Sequence, residues 1–163
     1  MLTVVTGPPC GGKSTYARAH AMPGDIVIDF DVIAQALGSP VGHGHEKPVS
    51  EVAAAAWSTA ILRALDEHAR GARVWIVDSS PTAYRRRRYT EAYARMVTCT
   101  ADRDELHRRA GDMRPASWHH RIDQYLDAGR EPAPRARTAW LWRRTTSRWL
   151  SRRTTKLKRT STR

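Results

Sequence analysis

The run Gly7-Pro8-Pro9-Cys10-Gly11-Gly12-Lys13-Ser14-Thr15 constrains this chain more than any other stretch. It fits G-x-x-x-x-G-K-[ST] without a mismatch, and its flanks are right. Leu2-Thr3-Val4-Val5-Thr6 before it is a short β-branched run, and Ser14 to Ala21 after it reads as a helix. A strand, a glycine-rich turn and a helix N-terminus make a phosphate cradle, because glycine lets successive backbone N–H groups turn inward toward an anion. All nine residues are candidates for nucleotide contact. Lys13 is placed to reach the β- and γ-phosphates, and the Ser14 hydroxyl to ligate Mg²⁺. The expected cofactors are therefore ATP and Mg²⁺.

The remainder alternates strand and helix, the pattern of a parallel α/β sheet. Strands are expected at Ile26–Asp29, Arg73–Asp78 and Arg95–Thr100, the second almost wholly apolar and so central. Val32 to Leu37 makes a helical turn or two. A loop with three glycines and two prolines spans Gly38 to Pro48. A long helix runs from Ser50, as N-cap, to Arg70, with Gly71 as its stop. Tyr84–Ala94, Asp102–Ala110 and Trp118–Ala128 complete the helices. About four parallel strands with helices on both faces follow.

A chain of 163 residues is long enough for a real core. Its two cysteines, Cys10 and Cys99, match no metal or disulfide pattern, so reduced thiols in a cytosolic setting are expected. Cys10 is either a reactive thiol or, the simpler reading, a small residue of the loop. No apolar run reaches membrane-spanning length, and the first strand begins at once, leaving no room for a signal peptide. The net charge of +12 is unevenly placed. Residues 1–132 carry 17 Lys/Arg against 16 Asp/Glu, whereas 133–163 carry 11 Lys/Arg and no acid. A nearly neutral domain at 1–132 is thus followed by a basic extension at 133–163, which suggests a polyanion partner, most often nucleic acid.

Two further acids close strands on the side where such sheets bind ligands. Asp78 ends an apolar run of Walker B form and is a candidate Mg²⁺ ligand. Asp31, just past the second strand, can act as base or orienting acceptor for a hydroxyl, or can cap the following helix. Asp29 competes with it if the register shifts. Arg108, Arg109 and Arg114 surround Ala110-Gly111-Asp112, a break between two helices that suits a mobile lid bearing transition-state cations. Arg85 to Arg88 follow the Asp78-Ser79-Ser80-Pro81 turn, so some should face the cleft and others solvent. His43, His45 and Glu46 are too few for a metal site and suit a substrate loop.

Taken together, these pieces resemble the P-loop kinases of the phage polynucleotide 5′-kinase type, and more loosely the zeta-toxin and chloramphenicol-phosphotransferase kinases. The matching segments are Gly7 to Arg18, Ile28-Asp29-Phe30-Asp31, Asp78-Ser79-Ser80-Pro81 with the arginines after it, and Glu105-Leu106-His107-Arg108-Arg109. The resemblance covers roughly residues 1–129. It implies that Asp31 is the general base toward a 5′-hydroxyl and that Arg109, or Arg108, stabilises the transferring phosphoryl group. It also implies an arginine three residues after the base, gripping the acceptor's 3′-phosphate; here that position is Ala34.

The extension interleaves Trp140, Trp142 and Trp149 with arginines. Its tryptophans either stack on bases or pack a tail helix on the body. Three functions stay open: a kinase for a DNA or RNA hydroxyl, a kinase for a small alcohol, and a nucleic-acid-binding ATPase. No membrane contact and no protein partner are implied.

Overall fold

The order of the strands decides where a ligand can sit. In the computed structural model, which describes residues 1–113 and 116–128, β1 (Leu2–Thr6), β2 (Ile26–Ile28), β3 (Val74–Val77) and β4 (Arg95–Thr98) form one all-parallel sheet. The spatial order is β2-β3-β1-β4. The chain leaves β1 toward β2 on one side and later crosses to β4 on the other. That reversal opens a crevice at the carboxyl ends of β1 and β3.

Strand alternation divides the core in two. Leu2, Val4, Val74, Ile76 and Ile28 turn to one face, against Ile61, Ala64 and Leu65 of α3 (Lys47–Ala69) and Tyr89 of α4 (Ala83–Glu91). Val5, Trp75 and Val77 turn to the other, against Ala17 of α1 (Lys13–His20). The register supports this, pairing Leu2 with Val74 and Val4 with Ile76, same face to same face. Deep burial of Ile61 and Ile76 contributes about 1.5–3 kcal/mol each. A third cluster joins α5 (Arg103–Met113) and α6 (Ser117–Ala128), through Leu106, Ala110 and Ile122, to Cys10 of the glycine-rich turn.

Helix α4 stops at Glu91 rather than Ala94 and β4 at Thr98 rather than Thr100. Two further boundaries differ for reasons of packing. The long helix begins at Lys47, with Glu46 as N-cap, so Ser50 is not the cap; its N–H already bonds to the Glu46 carbonyl at 2.8 Å. Pro48 sits in the first turn, where its missing N–H costs nothing, so a residue that reads as a loop marker belongs to the helix. Likewise α5 does not break at Ala110-Gly111-Asp112 but runs to Met113. Leu106 and Ala110, one turn apart, are both fully buried, and that packing outweighs the weak helix propensity of Gly111. The short α2 (Phe30–Ala36) and the stop at Gly71, with φ of +104°, agree with the sequence. The basic extension at 133–163, the helix expected within it and Arg114 lie outside the described residues.

Candidate nucleotide-binding site

Residues 7–12 turn tightly between β1 and α1. Gly7 has φ of +130°, and a Cβ there would overlap the carbonyl oxygen of Cys99, the residue just after β4. At Gly11 a Cβ would lie 2.8 Å from the same oxygen. These two glycines therefore let the turn press against β4. Gly12, with φ of +85°, is the N-cap of α1, and no side chain caps that helix. Its first-turn N–H groups are thus offered to the cavity, the arrangement that binds anions. Lys13 lies folded into the turn, 9% exposed, its Nζ donating to the Pro8 carbonyl at 2.6 Å. Cys10 is buried against α5 and α6, a structural setting rather than that of a reactive thiol. Burial pushes the Cys99 thiol upward, with Lys13 opposing.

Pro9 to Thr15 and Lys13 line one wall of an open cavity of about 1570 Å³. Asp31 lines it from α2. The capping role belongs to Asp29, which is 5% exposed and accepts the Asp31 N–H at 3.0 Å. This leaves the Asp31 side chain to meet two histidines of the 37–46 loop. Oδ2 is 2.7 Å from His43 Nδ1, and Oδ1 is 2.9 Å from His45 Nε2. The His45 side chain is buried, with its Nδ1 2.7 Å from Ser39 Oγ, whereas the His43 side chain is 30% exposed.

Asp78 sits beneath the cavity, 2% exposed. Its Oδ2 accepts from Arg85 Nε at 2.7 Å and from the Tyr89 hydroxyl at 2.9 Å; Oδ1 takes a longer contact of 3.4 Å from Arg85 Nη2. Burial and the Asp78 charge push the Tyr89 phenol far upward, so it stays a donor. Of the four consecutive arginines, Arg85 reaches the cavity and stacks over Trp57 at 4.9 Å, while Arg87 pairs with Glu91 on the surface.

The two lid arginines separate. Arg109 lines the cavity, donating from Nη1 to the Cys10 carbonyl at 3.2 Å and from Nε to Glu105 at 2.7 Å. Arg108 is 64% exposed in its side chain and pairs with Glu105 and Asp112 on the outer face of α5. Hydrogen bonds from Arg108 and then Arg109 hold the Glu105 carboxyl down at about 2.

Two residues of the cavity wall carried no sign of a role in the sequence. Trp118 and Arg121, three apart on α6, face the cavity together, the guanidinium 4.8 Å over the indole. Their i,i+3 spacing was the available signal. The Trp118 ring also meets His43 edge-on at 6.3 Å. No signal in the sequence ties His43 and His45 to Asp31, because the loop that returns them has no periodicity.

Comparison with known proteins yields a structural likeness. No family model and no curated protein matches the sequence. The structure is similar to a chain in the structure of the Pnkp1/Rnl/Hen1 RNA repair complex, with a TM-score of 0.57 and 16% identity. The match covers 83% of this chain and 48% of that one, so this chain spans about half the length of its structural neighbour. The shared feature is the fold: α/β, with a parallel four-stranded sheet flanked by helices. Among the described residues no helix is long and apolar enough to cross a membrane.

Proposed function

We propose that this chain is a phosphotransferase that moves the γ-phosphate of ATP to a hydroxyl, and that the acceptor is the 5′-hydroxyl of DNA or RNA. One observation carries the reading: the glycine-rich turn with Lys13 and the Asp31 carboxylate line the same cavity. Phosphoryl transfer needs little more than positioned reactants and matched charge. Lys13 and the N–H groups of α1 supply the donor-side charge. Arg109, tied to the turn itself, meets charge that develops on the transferring group. Asp31 anchors the acid–base unit at the acceptor end.

A hard divalent cation fits the oxygen donors at hand, the Ser14 hydroxyl and Asp78 Oδ1. Bound there, Mg²⁺ would neutralise the polyphosphate. Asp78 would contact it with the oxygen that Arg85 and Tyr89 occupy least.

The cavity exceeds the roughly 300–1,000 Å³ of a site for one drug-sized ligand, which suits two substrates. The RNA repair complex of the structural neighbour supports a polynucleotide acceptor, and the basic segment 133–163 would strengthen its binding in a salt-dependent way. A small alcohol as acceptor is the second reading. It is favoured by Ala34, which is fully buried and takes no part in the cavity, so no phosphate-gripping arginine stands there.

The test is γ-label transfer from ATP with Mg²⁺ to a 5′-hydroxyl DNA oligonucleotide, the matching RNA, nucleosides and nucleoside monophosphates. Label on an oligonucleotide, with affinity lost when residues 133–163 are removed, supports the polynucleotide reading. Label on a small acceptor alone supports the second. Free phosphate with no labelled acceptor points to an acceptor outside the panel or to a nucleic-acid-binding ATPase.

A further inference from the structure

We infer that His43, held by Asp31, is the group that takes the proton from the acceptor hydroxyl; the inference rests on the phosphotransfer reading above. Both oxygens of Asp31 already face imidazole nitrogens, His43 Nδ1 at 2.7 Å and His45 Nε2 at 2.9 Å. Each such bond takes up one of the carboxylate's lone pairs and makes it a weaker base toward a hydroxyl. A carboxylate bonded to Nδ1–H fixes the tautomer, so the opposite nitrogen of the ring carries the basic lone pair. His45 cannot use that arrangement toward a substrate, since it is buried and its second nitrogen meets Ser39 Oγ at 2.7 Å. His43 can: its side chain is 30% exposed and lines the same cavity as Lys13. Trp118 meets the ring edge-on, at 6.3 Å between centroids.

The step balances without a further reactant. The acceptor O–H bond breaks and its proton passes to His43 Nε2. The acceptor oxygen bonds to the γ-phosphorus of the nucleoside triphosphate, and the bond from that phosphorus to the β-bridging oxygen breaks, releasing the diphosphate. Asp31 offsets the imidazolium charge, the role of an orienting carboxylate. The proton then leaves from the exposed edge of the ring. Around this ring, Asp31 of α2 meets His43 directly and also holds His45 of the same loop, and Arg121 of α6 lies over the Trp118 ring that His43 meets. Asp31 is a positioning residue in this scheme, and His43 the catalytic one.

The test pairs kinetics with NMR on the full chain. His43→Asn keeps an N–H for Asp31 but cannot accept a proton. Turnover should fall roughly 10²–10³-fold, within the range of general base catalysis. The fall of wild-type turnover toward acid pH should be absent in the variant. Without nucleotide, the ¹⁵N shifts of His43 at pH 8 should show the proton on Nδ1 and a bare Nε2. Turnover within about threefold of wild type in His43→Asn, in the range of ordinary surface changes, or a proton on Nε2, would overturn the assignment. A wild-type protein that labels no acceptor removes the phosphotransfer reading itself, and the role of His43 with it.

Discussion

Arg109 donates from Nη1 to the carbonyl oxygen of Cys10 at 3.2 Å, so a residue of α5 is tied to the glycine-rich turn by a bond 99 positions apart in sequence. The neighbouring Arg108 points away, with Nε and Nη2 on Glu105 and Nη1 on Asp112. Arg109→Ala should therefore lower turnover by roughly 10²–10³-fold, the loss seen when one charge-stabilising donor is removed. Arg108→Ala should stay within about threefold of wild type, as for a solvated surface charge. Steady-state kinetics of the two variants side by side check the assignment, and equal losses would refute it.

Gly7 and Gly12 both have positive φ but for different reasons. At Gly12 a Cβ meets nothing within 4 Å, so Gly12→Ala should cost only the left-handed backbone, about 1–2 kcal/mol. At Gly7 a Cβ would overlap a backbone carbonyl that cannot swing aside. Gly7→Ala should cost clearly more and abolish nucleotide binding as the turn lifts from β4. Denaturant midpoints and ATP titration distinguish the two.

Tyr89, 1% exposed, donates its hydroxyl to Asp78. Tyr89→Phe keeps the packing of the ring but leaves a buried carboxylate short of one donor. A loss of about 1–3 kcal/mol in chemical unfolding is expected. An unchanged midpoint would mean that Arg85 alone satisfies Asp78.

Glu105 sets an acid limit. Its folded carboxyl is held down at about 2 by Arg108 and Arg109, from an ordinary value of 4.5. A depressed carboxylate contributes stability that is complete above its unfolded value and lost as pH falls toward its folded one. The window is therefore about pH 4.5 down to 2. NMR titration should place the Glu105 midpoint near the lower end, and Glu105→Gln should flatten the stability profile across that window. Because the Glu105 side chain is partly open to solvent, strong salt should shrink the effect.

Much of the architecture was legible in the chain. The apolar runs at 2–6 and 73–78 marked the two interior strands, since a strand buried on both faces admits few polar residues. Four parallel strands with helices between them follow from that alternation. Misplaced boundaries came from residues with two meanings. Pro48 signals a loop by itself but is welcome in a helix's first turn, and Gly111 signals a break unless Leu106 and Ala110 are packed around it. The site was legible in part. The glycine-rich turn announces itself because its backbone can be made by few sequences. Choosing Arg109 over Arg108, or Asp29 over Asp31 as the cap, required the orientation of a helix about its axis.

What the sequence determined by itself is local: the turn that can cradle phosphate, the strands that must be buried, the imbalance of charge between 1–132 and 133–163. Each follows from the conformational preference, hydrophobicity or charge of neighbouring residues. Tertiary structure alone decided which distant groups share a cavity. The loop from 37 to 46 folds back to set His43 and His45 on Asp31, and α5 turns Arg109 onto Cys10. Such contacts depend on how whole elements pack and rotate, and packing is a property of the assembled core that no single stretch of sequence contains.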